Sequence, residues 1–578
     1  MEMLHIARFQ AEYHLPPAHA GQKKRLDRLL GEMLDGSLAL ALERLGIPLR
    51  EEICIRRIQA PVRLRMAAND SDLVLDWSMA LADHLSRVIT GNDPANVIRY
   101  PSRFHGLADF ADSVARGDLH HAWAWKQLGF PVRSQEDSLT GAAQGLVASL
   151  MRESAWIVPI LVYLAGTGAI DNLLGRLPVV WWQDLAMVVL MEYGQAMPLP
   201  HLKAHHGADD DQQHLAARIV RQSSLAAVVA RRRAWFSDHA DLLPLWSVLV
   251  ILETEPAMLM GETGKAEDVV GAVQEVLIRA NGILNSAHRL PSTAAQETEP
   301  KVFPEAETRP QAGSNAHKPE PEGRGIRERE GEFARLRHER TDQQIVAKPV
   351  NQIVATTDVS DFGIHGPVQE PEKTAGSGQP AEPRISSGAA RHDGMGIKPL
   401  TVPGLEPLVR SQGLSEYGGL LFLLPLLEQT GIVAAIVGAE QFKGRSLRWF
   451  LHALALQLLP LQAHDPAALA FCGLRPDDPM PGRDEPGPDQ REKRLLAEWR
   501  LTLVERLADL MPHDQRQMDP ERILHKVCHR NARIIADPGW IEVIFSIREV
   551  VTEIRRAGLD LDPGFIPWLG VVMKFYYE

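Results

Sequence analysis

The sequence predicts a mainly α protein with small α+β elements: short-helix bundles, with a strand-helix-strand unit at each end of the chain. Three observations lead there. Apolar residues recur at helical spacing from Ser71 to about residue 287, alternating runs stand near both ends, and the apolar pattern stops between 291 and 400. At 578 residues the chain also exceeds what one hydrophobic core organises, so more than one domain is expected.

Phe9, Ala11 and Tyr13 alternate with Arg8, Gln10 and Glu12, which predicts an opening strand with one wet face. Leu26, Leu29, Leu30, Met33, Leu34, Leu38, Ala41, Leu42 and Leu45 then trace a helix that Gly46 and Pro48 stop. An extended segment around Ile53 to Ile58, running on past Pro61 to Met66, completes the first strand-helix-strand unit. Leu73, Trp77, Leu81, Leu85 and Ile89 make the next helical ladder, and Gly117 to Trp125 opens another helix. Further helices are expected near 138–152, 155–168, 178–195, 212–234, 241–252 and 266–287, with Pro178, Pro198, Pro200 and Pro244 at boundaries or first turns.

Residues 291–400 hold twelve of the 40 prolines, many Glu, Gln, Arg, Ser and Gly, and no Trp or Tyr. Such a composition buries too little apolar surface to offset the entropy of ordering it, so a disordered linker is expected, spanning roughly 60 Å on average. It separates a domain over 1–290 from one over 401–578. In the latter, Tyr417 to Pro425 reads as a buried segment restarted at its proline. Ser446 caps a helix striped by Leu447, Phe450, Leu451, Leu454 and Leu458, and helices are expected near 491–511 and 519–530.

The last forty-two residues are the most densely specified. Ile541, Val543 and Phe545 share one face of a half-buried strand, and Ile547, Val550, Val551 and Ile554 fall on one helical stripe. Arg555 and Arg556 occupy the last turn, and Gly558 suits the left-handed cap. Val571, Met573, Phe575 and Tyr577 line one face of a closing strand, with Lys574 on the other. The residues singled out as structural or partner-binding are Trp540, Gly558, Asp560, Asp562, Pro563, Gly564, Pro567 and Trp568.

A hydrophobic fraction of 45%, a charged fraction of 24% and a net charge of -12 fit an ordinary globular protein without general nucleic-acid affinity. The basic strip Arg56, Arg57, Arg63 and Arg65 reads as a solvated strand face. The three cysteines (Cys54, Cys472, Cys528) suit a reducing cytoplasm, and no secretory signal or membrane span is expected. The apolar stretches from Ala155 to Ile170 and Leu242 to Leu252 read as buried helices.

Sequence features that resemble reaction centres each read better as structure. In Gly261-Glu262-Thr263-Gly264-Lys265 only two residues separate the glycines, and Ala266 replaces the metal-binding hydroxyl of a phosphate loop. Ser415 sits in a spacing one residue too long for a nucleophile elbow, and reads as a helix cap. His201, His205, His206 and His214 with Asp209, Asp210 and Asp211 stand in a polar loop that does not hold ligands in place, and His525, Cys528 and His529 lack a partner pair. Asp560 and Asp562 belong to the turn Asp562-Pro563-Gly564. The expectation is a protein that is not an enzyme and needs no cofactor, metal or small-molecule substrate.

From Trp540 and Phe545 through Ile554-Arg555-Arg556-Ala557-Gly558-Leu559-Asp560-Leu561-Asp562-Pro563-Gly564 to Pro567-Trp568-Leu569-Gly570, the chain resembles contractile injection system tape measure proteins. These are encoded with extracellular phage-tail-like particles. The opening strand-helix-strand, Tyr417 to Leu424, and Phe471-Cys472-Gly473-Leu474 are similar to the same group. The resemblance implies a non-catalytic structural or assembly role, with tail, tube or baseplate proteins as partners, in the cytoplasm or incorporated into the assembled particle. A length-setting rod would show long unbroken helices rising about 1.5 Å per residue, so the short helices favour an assembly role over a literal ruler. The alternatives are a metal-dependent enzyme or accessory factor of the same gene cluster, and a stand-alone helical adaptor.

Overall fold

A computed structural model describes residues 6, 9–15, 17–44, 51–91, 93–132, 138–193, 210–260, 263–281, 353–358, 410–439, 445–483, 486–512 and 518–578. The mainly helical class holds, with short strand elements and one five-stranded sheet. Contacts divide the chain into two compact units. The first takes Met1–Gly46, Arg56–Gly91 and Arg289–Gly363, and the second takes Ile47–Ile55, Asn92–His288 and Ile364–Glu578. This differs from the expected domains at 1–290 and 401–578, because residues on both sides of 291–400 build the second unit together.

In the first unit, strand β1 (Phe9–His14) shows the expected alternation, with Gln10, Glu12 and His14 exposed. Helix Lys23–Glu32 continues through a π-helical turn, Met33–Ser37, into Leu38–Glu43. The stripe explains that turn. Leu26, Leu29 and Met33 follow α-helical spacing, but the next buried residue is Leu38, five positions on, and its N–H bonds the Met33 carbonyl. Arg25 donates to Asp70 Oδ1 from Nε at 2.7 Å and to the carbonyls of Met66 and Ala68 at 3.2 and 2.9 Å. These bonds fix this helix to the start of helix Asp70–Gly91, whose Leu73, Trp77 and Leu81 are buried. From Ile58 to Met66 alternate side chains are buried, which leaves Arg57, Arg63 and Arg65 on the exposed side as expected.

The opening strand-helix-strand unit does not close on itself. β1 pairs in parallel with Ile353–Asp358 (β4), inside the expected linker, while β2 (Glu52–Ile55) pairs antiparallel with β3 (Val97–Tyr100) in the second unit. The linker expectation therefore fails at 353–358, where the β-branched run Ile353-Val354-Ala355-Thr356-Thr357 suits a strand. The rest of 291–400 lies outside the described residues.

The second unit holds a helical array and a sheet domain. At the centre of the array is helix Leu243–Thr254, apolar on every side and buried accordingly from Leu243 to Leu252. Helices Leu139–Arg152, Ile157–Thr167, Val179–Glu192 and Thr263–Asn281 match their expected positions, but 210–238 breaks into three helices at Ser223 and Arg232. Helix Arg103–Arg116, which is also largely buried, was not foreseen. Among the described residues no single helix is long and apolar enough to cross a membrane. Ser446 caps helix Leu447–Leu458 as expected, its Oγ accepting from Trp449 N at 3.0 Å. Tyr417 to Pro425 becomes a 3-10 turn, Gly418–Leu423, followed by an α-helix with Pro425 in its first turn. Ser415 is not a helix cap. It ends strand β5 (Ser411–Ser415), donates to Asp465 Oδ1 at 2.7 Å and accepts from Tyr417 N.

The sheet runs β5-β6-β7-β9-β8, with β6 Ala532–Asp537, β7 Trp540–Phe545, β8 Gly564–Ile566 and β9 Val571–Tyr577. β7 is its middle strand, paired antiparallel with β6 and parallel with β9. It is therefore buried on both faces rather than one. The expected helix over 547–554 also fails. Ile547–Glu549 is a 3-10 turn, Val550 and Val551 are extended, and only Thr552–Arg556 is α-helical, leaving Ile547 and Val550 exposed. All four stripe residues are β-branched and resist a helix that their spacing alone would permit.

Cleavage at a protease site engineered between Gly376 and Ser377 should leave two fragments that co-elute in native gel filtration, because 92–288 and 411–578 share one unit. Elution as two separate species would contradict this organisation.

Candidate functional site

The site with the most buried polar chemistry is the junction between the hairpin β6–β7 and the helical array. Asp537 and Trp540 flank the two-residue turn Pro538-Gly539, and Gly539 adopts φ 67°. A Cβ there would sit 2.5 Å from Pro159 Cγ, so glycine is required both for the turn and for its approach to the array. The turn carries Trp540 into the array core. Its ring stacks on Phe104 at 5.1 Å and meets Trp156 edge-on at 5.7 Å. Its Nε1 donates to Glu542 Oε1 at 3.0 Å.

Beside it runs a buried polar chain. Ser102 Oγ lies 2.9 Å from His105 Nδ1, and His105 Nε2 lies 3.0 Å from Asp537 Oδ2. Arg410 Nε donates to the same Asp537 oxygen at 3.0 Å, and an Arg410 terminal nitrogen is 3.0 Å from Glu542 Oε1. Burial alone would raise the Asp537 carboxyl. The His105 hydrogen bond and the Arg410 charge outweigh that and hold it below the ordinary carboxylate range. The serine-histidine-aspartate order is that of a nucleophilic triad, but Ser102, His105 and Asp537 are all buried and Arg410 shares the carboxylate. The arrangement is suited to holding two chain segments in register rather than meeting a substrate.

A second polar junction comes from the end of the central array helix. Glu253 accepts from Ser224 N at 2.8 Å and Leu225 N at 3.0 Å, capping helix Ser224–Arg231. Glu255, fully buried, reaches across to accept from Leu447 N at 3.2 Å at the start of helix Leu447–Leu458, and Arg218 pairs with it at 3.3 Å. Arg448 returns a bond to the Glu253 carbonyl at 2.9 Å. Burial raises the Glu255 carboxyl, and Arg218 offsets this only in part. Within the array itself, Asp109 Oδ2 accepts from Tyr100 at 2.7 Å and Trp125 at 2.9 Å and meets His121 at 3.1 Å.

The residues singled out from the sequence do not form one cluster. Trp540 lies in the array core, whereas Trp568, 1% exposed, lies in the core of the sheet domain. Gly558 takes φ 70° as expected and closes a Schellman motif, with Gly558 N bonded to Arg555 O and Leu559 N to Ile554 O. Asp560 is more than a turn residue. Buried, it accepts from Arg555 Nε at 3.0 Å and Tyr577 Oη at 3.1 Å, which ties the helix end to β9. Asp562 is exposed, pairs with Lys574 at 2.8 Å and accepts from Gly564 N, with Pro563 between. Gly564 has φ 67°, and Pro567 lies in the turn before Gly570, whose N–H bonds the Ile566 carbonyl.

Sequence reading missed His105, Asp109, Glu255, Arg410, Asp537 and Glu542. The one available signal was an acid within each apolar run: Glu542 inside Trp540 to Phe545, and Asp537 before Pro-Gly. His201, His205 and His206 lie outside the described residues, and among those described no group of three or more His, Cys, Asp or Glu is placed to hold a metal ion. Thr263 opens helix Thr263–Asn281, and Gly261 and Glu262 fall outside the described residues.

Asp537→Asn should destabilise the protein by about 3–5 kcal/mol in denaturant unfolding, since it removes the buried carboxylate that His105 and Arg410 share and leaves Arg410 only Glu542. A loss near zero would show that the chain of polar groups is incidental. Glu255 gives a pH test. Its folded value is raised, so its contribution is complete below the unfolded value and is lost as pH rises through the folded one. Glu255→Gln keeps an acceptor for Leu447 N. It should flatten the fall in melting temperature as pH rises above about 4.5, and an unchanged slope would exclude Glu255 as its source.

No protein-family model, curated protein or solved structure matches the chain.

Proposed function

We propose that the protein is a non-catalytic structural or assembly component of a contractile, phage-tail-like injection particle, acting as a tape measure-type or tail assembly factor. The observation that carries this reading is the use made of the closing segment. The residues that resemble the tape measure family are spent on packing and pairing: Trp540 in one core, Trp568 in another, and Asp560 and Asp562 in ion pairs with Arg555 and Lys574. Its partners on this reading are tail, tube or baseplate proteins. The short described helices favour an assembly role over a ruler, the longest being the 22-residue helix Asp70–Gly91 and the 21-residue helix Gln490–Leu510.

Affinity-tagged protein should co-purify with sheath, tube or baseplate components, and deletion should reduce or disorder the particles seen by electron microscopy. Deletion cells that yield particles of normal number and form would overturn the proposal.

Trp568→Ala should lower the melting temperature sharply, since truncating a buried Trp costs about 3–5 kcal/mol. Asp560→Asn should also lower it, by weakening the link between the Arg555 turn and Tyr577. Full thermal stability in both variants would show that the closing segment is not the packed unit described above.

A further inference from the structure

His525 and His529 stand four residues apart at the end of helix Pro520–Cys528, and both side chains are exposed. Their rings lie face to face, 14° from parallel, with centroids 4.9 Å apart. We propose that this pair is a two-imidazole chelate for a divalent transition ion, copper or zinc, with water completing the coordination.

Four-residue spacing puts both rings on one helical face, the geometry by which paired helical histidines share a metal. With metal–nitrogen bonds of about 2.0–2.1 Å, two imidazoles on a tetrahedral ion have nitrogens roughly 3.3 Å apart. Stacked planes cannot both contain one ion, so at least one ring must turn by tens of degrees about χ2, a broad torsion that an exposed histidine is free to change. The surroundings favour a cation. The helix C-terminus carries partial negative charge, and the flanking cations are already balanced, Lys526 by Glu553 at 3.7 Å and Arg530 by Glu549 at 3.4 Å.

The site also has a firm base. The Tyr417 ring meets His529 edge-on at 5.3 Å and His525 at 6.5 Å, and Gly418 N bonds the Arg530 carbonyl at 2.8 Å. Cys528 is not a ligand. It faces the core, and burial pushes its thiol far above the range in which a thiolate forms. A bound ion would staple the last helical turn beside β6 without being required for the fold. Copper should bind more tightly than zinc at an imidazole pair.

The test is calorimetric titration of the full chain with copper(II) chloride and, separately, zinc chloride. The chain has 22 histidines, so three variants are compared with wild type: His525→Gln, His529→Gln, and a control carrying His205→Gln and His206→Gln. Either single change at the pair should abolish the same one equivalent, because a chelate needs both rings, while the control retains it. Circular dichroism should be unchanged throughout, as both side chains are exposed. Equal binding by wild type and the two single variants would overturn the proposal, as would loss of the equivalent only in the control.

Discussion

The second unit depends on the seating of one hairpin turn in the helical array. Asp537-Pro538-Gly539-Trp540 brings an indole, a carboxylate and a left-handed glycine to the array at once, and each has a matched receiver: Phe104 and Trp156, His105, and Pro159. Apolar packing supplies most of the attraction, as in any core. The buried polar chain supplies placement, because His105 of the array meets Asp537 in one register only, and Arg410 and Glu542 hold that carboxylate from the sheet side. Glu255, capping a helix that lies 192 residues further along the chain, applies the same logic at a second point. Two junctions fix an orientation that one would leave free to pivot.

Much of the array was legible because its helices carry uninterrupted stripes. Leu447 to Leu458 and Leu243 to Leu252 are read directly from spacing, and Ser446 announces its cap. Helix Arg103–Arg116 was not legible, since His105, Asp109 and Asp112 stand on its buried side among small residues such as Gly106, Ala108 and Ala111. Its large apolar residues, Phe104, Leu107, Phe110 and Val114, do recur at helical spacing, but the polar and small residues between them obscure the stripe. The reverse error occurred at Ile547 to Ile554, where helical spacing was present but β-branched side chains and Ser546 favoured a 3-10 turn and extended backbone.

The junction was harder still. A motif search finds groups close in sequence, whereas Ser102, His105, Arg410, Asp537 and Glu542 come from three separate stretches. Each alone is an ordinary polar residue. Strand β5 and strand β6 went unseen for a related reason: Ser-Gln-Gly-Leu-Ser has no apolar alternation, and it is a strand only because β6 offers an edge. Trp540 was singled out, but nothing local shows that its face of β7 belongs to a different core from that of Ile541, Val543 and Phe545.

The 432 positions between His105 and Asp537 bear on how the protein is made. Chains emerge from the ribosome at about 5–20 residues per second, so the array waits on the order of 20–90 s for the strand that fills it. Until Trp540 emerges Phe104 and Trp156 present an unfilled aromatic seat, and for most of that interval the start of helix Leu447–Leu458 has yet to reach Glu255. Nascent copies on one messenger would thus hold the same vacancy side by side, where a neighbour's hairpin is as good a fit as their own. Correct assembly of this unit is accordingly a race between completing the chain and exchanging hairpins with the copy ahead.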